Sequence, residues 1–128
     1  MVTELDQRLA AGDVPLALRT VLMPFTWRLE MLRALDLELT EIKVSTFDWM
    51  LDLPMWRYDG EWFAVTPRQV TQDREKYREQ WDRTQHADLT CPVYVTPRAG
   101  RLVIIDGLHR LLRATGERVE RLLSLIHI

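Results

Sequence analysis

The sequence predicts a single domain of mixed α/β class. Two hairpin signals carry that expectation, Asp59-Gly60 between aromatic runs and Ala99-Gly100 between apolar runs, and the buried run Leu102-Val103-Ile104-Ile105 leads straight into an amphipathic helix. At 128 residues the chain is the size of one compact domain. It should bury roughly two-thirds of the surface its unfolded form exposes. A content of 47% hydrophobic and 28% charged residues excludes disordered and fibrous classes.

Residues 3–37 read as helical. Leu5 and Leu9 sit four apart, and Pro15 can open a helix containing Leu16, Leu18, Val21 and Leu22, which Pro24 breaks. A further helix is expected from about Thr26, with Trp27, Met31, Ala34 and Leu35 on one stripe. Residues 1–40 are therefore expected to be a helical extension that packs or offers a surface to a protein partner. Residues 41–128 form the main unit.

Ile42-Lys43-Val44 alternates and reads as a strand. Ser45 and Asp48 have capping-box spacing, and Phe47, Met50 and Leu51 give the following helix an apolar side that ends at Pro54. In the Asp59-Gly60 hairpin, Arg57 should face Trp62 and Trp56 should face Phe63. Those aromatics either pack or form a platform for a base. Thr66-Pro67-Arg68-Gln69 has a cap, a first-turn proline and a glutamine three after the cap. Asp73 is expected to cap a second helix with Tyr77 and Trp81 four apart and a charged outer face. A strand over 92–96, a turn at 98–101, the buried strand, a helix from Gly107 to about Ala114 ended by Gly116, and a final apolar strand complete the chain.

The net charge of −2 argues against a protein that coats nucleic acid by bulk positive charge, so DNA binding is expected to be weak. Residues 97–121 nonetheless hold six arginines against three acidic residues, a local +3 that leaves −5 elsewhere. This fits a local anion site, or simply solvated edges of strand and helix. The lone Cys91 allows no internal disulfide, which fits a reducing cytoplasm. Glu4 and Asp6 do not suit a signal peptide, and no apolar run reaches membrane-spanning length.

The chemistry concentrates at Asp106-Gly107-Leu108-His109-Arg110. A helix start leaves unpartnered N–H groups at the positive end of the helix dipole. Gly107 permits close backbone approach. With Leu108, Leu111 and Leu112 facing the core, His109, Arg110 and Arg113 should cluster on the open side. The candidate phosphate-binding set is Gly107, Leu108, His109, Arg110 and Arg113. Asp106 either caps the helix, or uses its charge to hold Mg²⁺ against phosphate oxygens or to accept a proton. Asp106 and His109 are the candidate catalytic residues. Asp48 and Asp52, four apart, form a capped, solvated face or a weak divalent-ion site. His86 and His127 show no metal-ligand spacing.

The run from Ile104 to Ala114 resembles the phosphate-binding signature of the ParB/sulfiredoxin superfamily. The order of elements from about Ile42 to Ile128 is also similar. The resemblance implies a small ParB-like sheet with helices, and binding of a nucleoside di- or triphosphate with phosphate contacts at Gly107, His109 and Arg110. The family spans nucleotide hydrolases of chromosome partition, ATP-dependent sulfiredoxins and a free-serine kinase. Leu108 stands where sulfiredoxins place their catalytic cysteine, and the chain holds no partition-type helix-turn-helix after the signature. The Asp-Gly opening is nearest to the serine-kinase type. That type needs a glutamate base, which no residue here matches securely; Glu41, near the first strand, is a candidate. The expected function is a Mg²⁺-dependent nucleotide hydrolase or a phosphotransferase to a small hydroxyl acceptor. The alternative is a non-catalytic module that regulates a protein or nucleic-acid partner.

Overall fold

The computed structural model describes residues 4–22 and 29–126, and these form a mixed α+β fold. The elements in order are α1 (Glu4–Ala11), α2 (Leu29–Arg33), β1 (Glu38–Lys43), β2 (Trp56–Tyr58), β3 (Glu61–Val65), α3 (Pro67–Gln72), α4 (Arg78–Gln85), β4 (Val93–Arg98), β5 (Arg101–Asp106), α5 (Leu108–Gly116) and β6 (Arg121–Ile126). Short 3-10 helices cover Leu16–Leu18 and Val44–Asp52.

Four strands form one sheet in the order β1-β6-β4-β5. β4 and β5 are a hairpin whose turn residues Ala99 and Gly100 both have positive φ, 49° and 85°, the geometry that matches strand twist. α5 then carries the chain from the edge strand β5 back to β6, which lies antiparallel to β1 and parallel to β4. Val93 and Val95 of β4, Val103 and Ile104 of β5, and Leu111 and Leu112 of α5 are buried together. Phe47, Met50 and Leu51 join them from the 3-10 run. β2 and β3 form a separate two-stranded sheet.

Several local expectations hold. Asp59 and Gly60 have φ of 49° and 80°, and Arg57 lies over the Trp62 ring at 4.7 Å. Thr66 Oγ1 accepts from the Gln69 N–H while the Gln69 side chain accepts from the Thr66 N–H, a complete capping box with Pro67 in the first turn. Leu108, Leu111 and Leu112 are buried.

Others are corrected. Trp56 pairs with Val65 rather than Phe63, because Phe63 takes φ 55° and the hairpin register shifts there. Ser45 caps nothing: residues 44–52 form 3-10 turns that begin after Lys43, without a side-chain cap. Asp73 accepts from the Lys76 N–H in the turn before α4 rather than at the helix itself, which starts at Arg78. Of the helix expected to open at Pro15, the described residues up to Leu22 are helical at Leu16–Leu18, and Leu16 is 77% exposed. Leu32 of α2 is buried, while Met31 of α2 and Leu35 beyond it are exposed, so the expected stripe does not face the core at those two positions. Trp27 and His127 lie outside the described residues. The N-terminal part is tied to the rest: Val21 joins the main core, and Arg98 Nη2 donates to the Leu22 carbonyl at 2.8 Å. No helix among the described residues is long and apolar enough to cross a membrane.

Candidate functional site at the start of the last helix

The position of Asp106 is decided by the sheet. It is the last residue of β5 and sits opposite Tyr94 across a bulge that leaves Ile105 as the extra residue. Gly107 therefore takes the N-cap position of α5, with φ 116° and ψ 23°. This corrects the capping alternative for Asp106: the first turn of α5 has no side-chain cap. The N–H groups of that first turn belong to Leu108, His109 and Arg110, and the helical ladder begins with Leu111 N–H to Gly107 carbonyl at 3.1 Å.

Gly107 is required for packing as well as for its positive φ. A Cβ there would stand 2.5 Å from Val93 Cγ1 and 2.9 Å from Val93 Cβ. The close backbone approach expected of this glycine is thus made to the β4 side chain.

The three basic side chains do not cluster, which corrects the helix-face expectation. His109 lies flat on Trp56, with ring centroids 4.3 Å apart and planes 9° from parallel. Its Nε2 is 2.7 Å from Gln80 Oε1. Gln80 Nε2 donates to the Arg57 carbonyl, so its oxygen is the atom facing His109. His109 Nε2 then carries the proton and donates, which leaves Nδ1 as an acceptor. Burial, reinforced by the Arg83 and Arg110 charges, pushes the imidazole pKa down to about 4. His109 is consequently neutral at pH 7 and brings a hydrogen-bonding ring, not a positive charge, to the helix start.

Arg110 Nη1 donates to the Pro92 carbonyl at 3.2 Å and lies 3.6 Å from Asp106 Oδ2. It is the one guanidinium of the signature beside the helix start. Arg113 points elsewhere: it donates to the Gln85 and Ala87 carbonyls at 2.8 and 2.6 Å and pairs with Glu117. It braces the end of α4 against α5.

Asp106, Gly107 and His109 line a pocket of about 220 Å³ together with Met55, Trp56 and Ile104. A larger groove of about 670 Å³, between the β2–β3 hairpin and α4, shares Met55 and Trp56 with it. Among the described residues Asp106 is the only acidic one lining the smaller pocket, and its side chain is 41% exposed. Among the described residues no group of three or more His, Cys, Asp or Glu is placed to hold a metal ion. A single carboxylate suits Mg²⁺ only when phosphate oxygens complete the shell.

The other candidate acids are accounted for. Asp48 and Asp52 both pair with Arg68, at 3.5 and 2.6 Å, and the Arg68 guanidinium holds the Asp52 carboxyl below its ordinary pKa. Glu41 sits on β1, at the far edge of the sheet from Asp106, about three strand spacings or ~14 Å away. His86 Nδ1 contacts the Asp82 carbonyl in the turn after α4.

Sequence reasoning missed Gln80 and the Trp56–His109 stack. Gln80 is buried, and it continues the inward stripe of Tyr77, Trp81 and Thr84. A polar residue in a core-facing position was the available signal. Compared with protein-family models, curated proteins and solved structures, the chain gives no match.

Proposed function

We propose that this chain is a nucleotide-binding protein that seats phosphate oxygens on the start of α5. The observation that carries this reading is the uncapped first turn of α5, opened by Gly107 at positive φ, which lines a pocket with Asp106 and the Trp56–His109 stack. Free N–H groups at a helix start favour an anion. The Arg110 guanidinium lies outside the pocket lining but close to Asp106 and Gly107, 3.6 Å from Asp106 Oδ2. The resemblance of residues 104–114 to the ParB/sulfiredoxin signature, carried by these same residues, implies the same ligand class.

Calorimetric titration with nucleoside triphosphates, with and without Mg²⁺, tests it. Saturable binding is expected, and Arg110→Ala should weaken it by roughly 1.5–3 kcal/mol through loss of a charge-assisted bond. Unchanged affinity in that variant places the ligand elsewhere.

A second reading, a Mg²⁺-dependent hydrolase or phosphotransferase, is favoured by one observation: Asp106 is not spent on capping. Asp106 lines the pocket, and its half-exposed carboxylate is paired only loosely, with Arg110 at 3.6 Å. There it would hold Mg²⁺ jointly with phosphate oxygens or accept a proton from a hydroxyl. Under this reading Asp106→Asn abolishes turnover and the Mg²⁺ dependence of binding while the fold survives. Tighter binding by Asp106→Asn, with no turnover in the parent protein, leaves a binding module.

A further inference from the structure

The 670 Å³ groove beside the helix start has a chemistry of its own. Its volume lies within the range of small-molecule sites, roughly 300–1,000 Å³. Tyr58, Trp62 and Tyr77 line it, with Lys76, Arg78 and Arg83 among its cations. Four basic residues, with Arg57, line it against two acidic ones, Asp59 and Glu79; Arg83 pairs with Glu79 and Arg78 with Asp82, and Arg57 lies over Trp62. Tyr58 is the most accessible of the rings at 37% exposure, and it meets Tyr77 edge-on with centroids 4.9 Å apart. Lys76 Nζ lies over both tyrosines, 5.7 and 5.2 Å from their centroids. The groove is therefore aromatic and net positive, which suits a flat ring attached to negative charge.

Two features connect it to the α5 pocket. Met55 and Trp56 line both. Gln80, which lines the groove, also holds His109 of the smaller pocket. From this we infer that the groove is the nucleobase subsite: one ligand places its phosphates on the start of α5 and stacks its heteroaromatic ring on Tyr58. This rests on the proposed nucleotide reading and names the part of the ligand that discriminates a nucleotide from a bare polyphosphate. Tyr58 lies on the short hairpin strand β2, away from the four-stranded sheet, so its side chain can be changed without touching the main core.

The test is calorimetric titration of the full chain, and of Tyr58→Ala and Tyr58→Phe, with a nucleoside triphosphate and with inorganic tripolyphosphate. Thermal unfolding of each variant checks that the fold is intact. Tyr58→Ala is expected to weaken nucleotide binding about tenfold or more, as loss of one base–aromatic stack does. Tyr58→Phe keeps the ring and should keep nucleotide affinity. Neither variant should change tripolyphosphate binding. Equal nucleotide affinity in the parent chain and Tyr58→Ala overturns the ring subsite while leaving the phosphate site standing. If the parent chain binds neither nucleotide nor tripolyphosphate, the phosphate reading fails and the subsite with it. Tighter binding of a short single-stranded oligonucleotide than of the mononucleotide, lost in Tyr58→Ala, overturns the subsite in favour of a nucleic-acid channel.

Discussion

The indole of Trp56 covers the imidazole of His109, with ring centroids 4.3 Å apart and planes within 9°. This one contact joins the β2–β3 hairpin to the helix that begins the candidate site. Trp56 is also nearly fully buried in the core. Trp56→Ala should therefore cost about 3–5 kcal/mol, the usual range for removing a large buried aromatic. Urea unfolding measures it. A loss under about 1 kcal/mol would show that the stack is not part of the stable core.

The same burial makes stability depend on pH. His109 has its pKa pushed down to about 4, by burial first and then by the Arg83 and Arg110 charges, from an ordinary 6.5. Between those values the unfolded chain binds a proton that the folded chain refuses. The contribution is fully present above about pH 6.5 and is lost as pH falls toward 4. It amounts to something on the order of 3 kcal/mol at most. His109→Phe keeps a ring against Trp56 and removes the titration, so its stability should fall less over this interval. Identical pH profiles for the two proteins would contradict the buried neutral imidazole.

The glycine at the helix start gives a stability prediction. Gly107→Ala must adopt φ 116° and place its Cβ 2.5 Å from Val93 Cγ1. A loss on the order of 1–3 kcal/mol is expected from the backbone conformation alone. Gly107→Ala in a Val93→Ala background should be less costly than the sum of the single changes, since the closest contact, with Val93 Cγ1, is gone and only the Cβ at 2.9 Å remains. Additive effects in that double-mutant cycle would contradict the Val93 contact.

What the sequence made legible was local. Asp59-Gly60 and Ala99-Gly100 specify their turns by backbone preference alone, and Thr66-Pro67-Arg68-Gln69 specifies its cap. The spacing of Leu108, Leu111 and Leu112 fixes which face of α5 is buried. The errors came from tertiary constraints. Asp is the better cap by propensity, but pairing with Tyr94 keeps Asp106 in the strand and passes the cap to Gly107. Helix spacing brings His109, Arg110 and Arg113 near one another, yet each side chain has a partner from a different segment: Trp56 and Gln80, Pro92, and the end of α4. No local signal announces those partners, because they are set by how the hairpin and α4 pack on α5.

Phosphate binding at the start of α5 is tested most directly by an NMR titration of the ¹⁵N-labelled chain with a nucleoside triphosphate. The backbone amides of Leu108, His109 and Arg110 should shift most, because their N–H groups form the first turn at the pocket. Saturable shifts at these three amides, reproduced by tripolyphosphate, are the predicted result. Binding that leaves these amides unmoved while shifting others, or no binding at millimolar ligand, would contradict it.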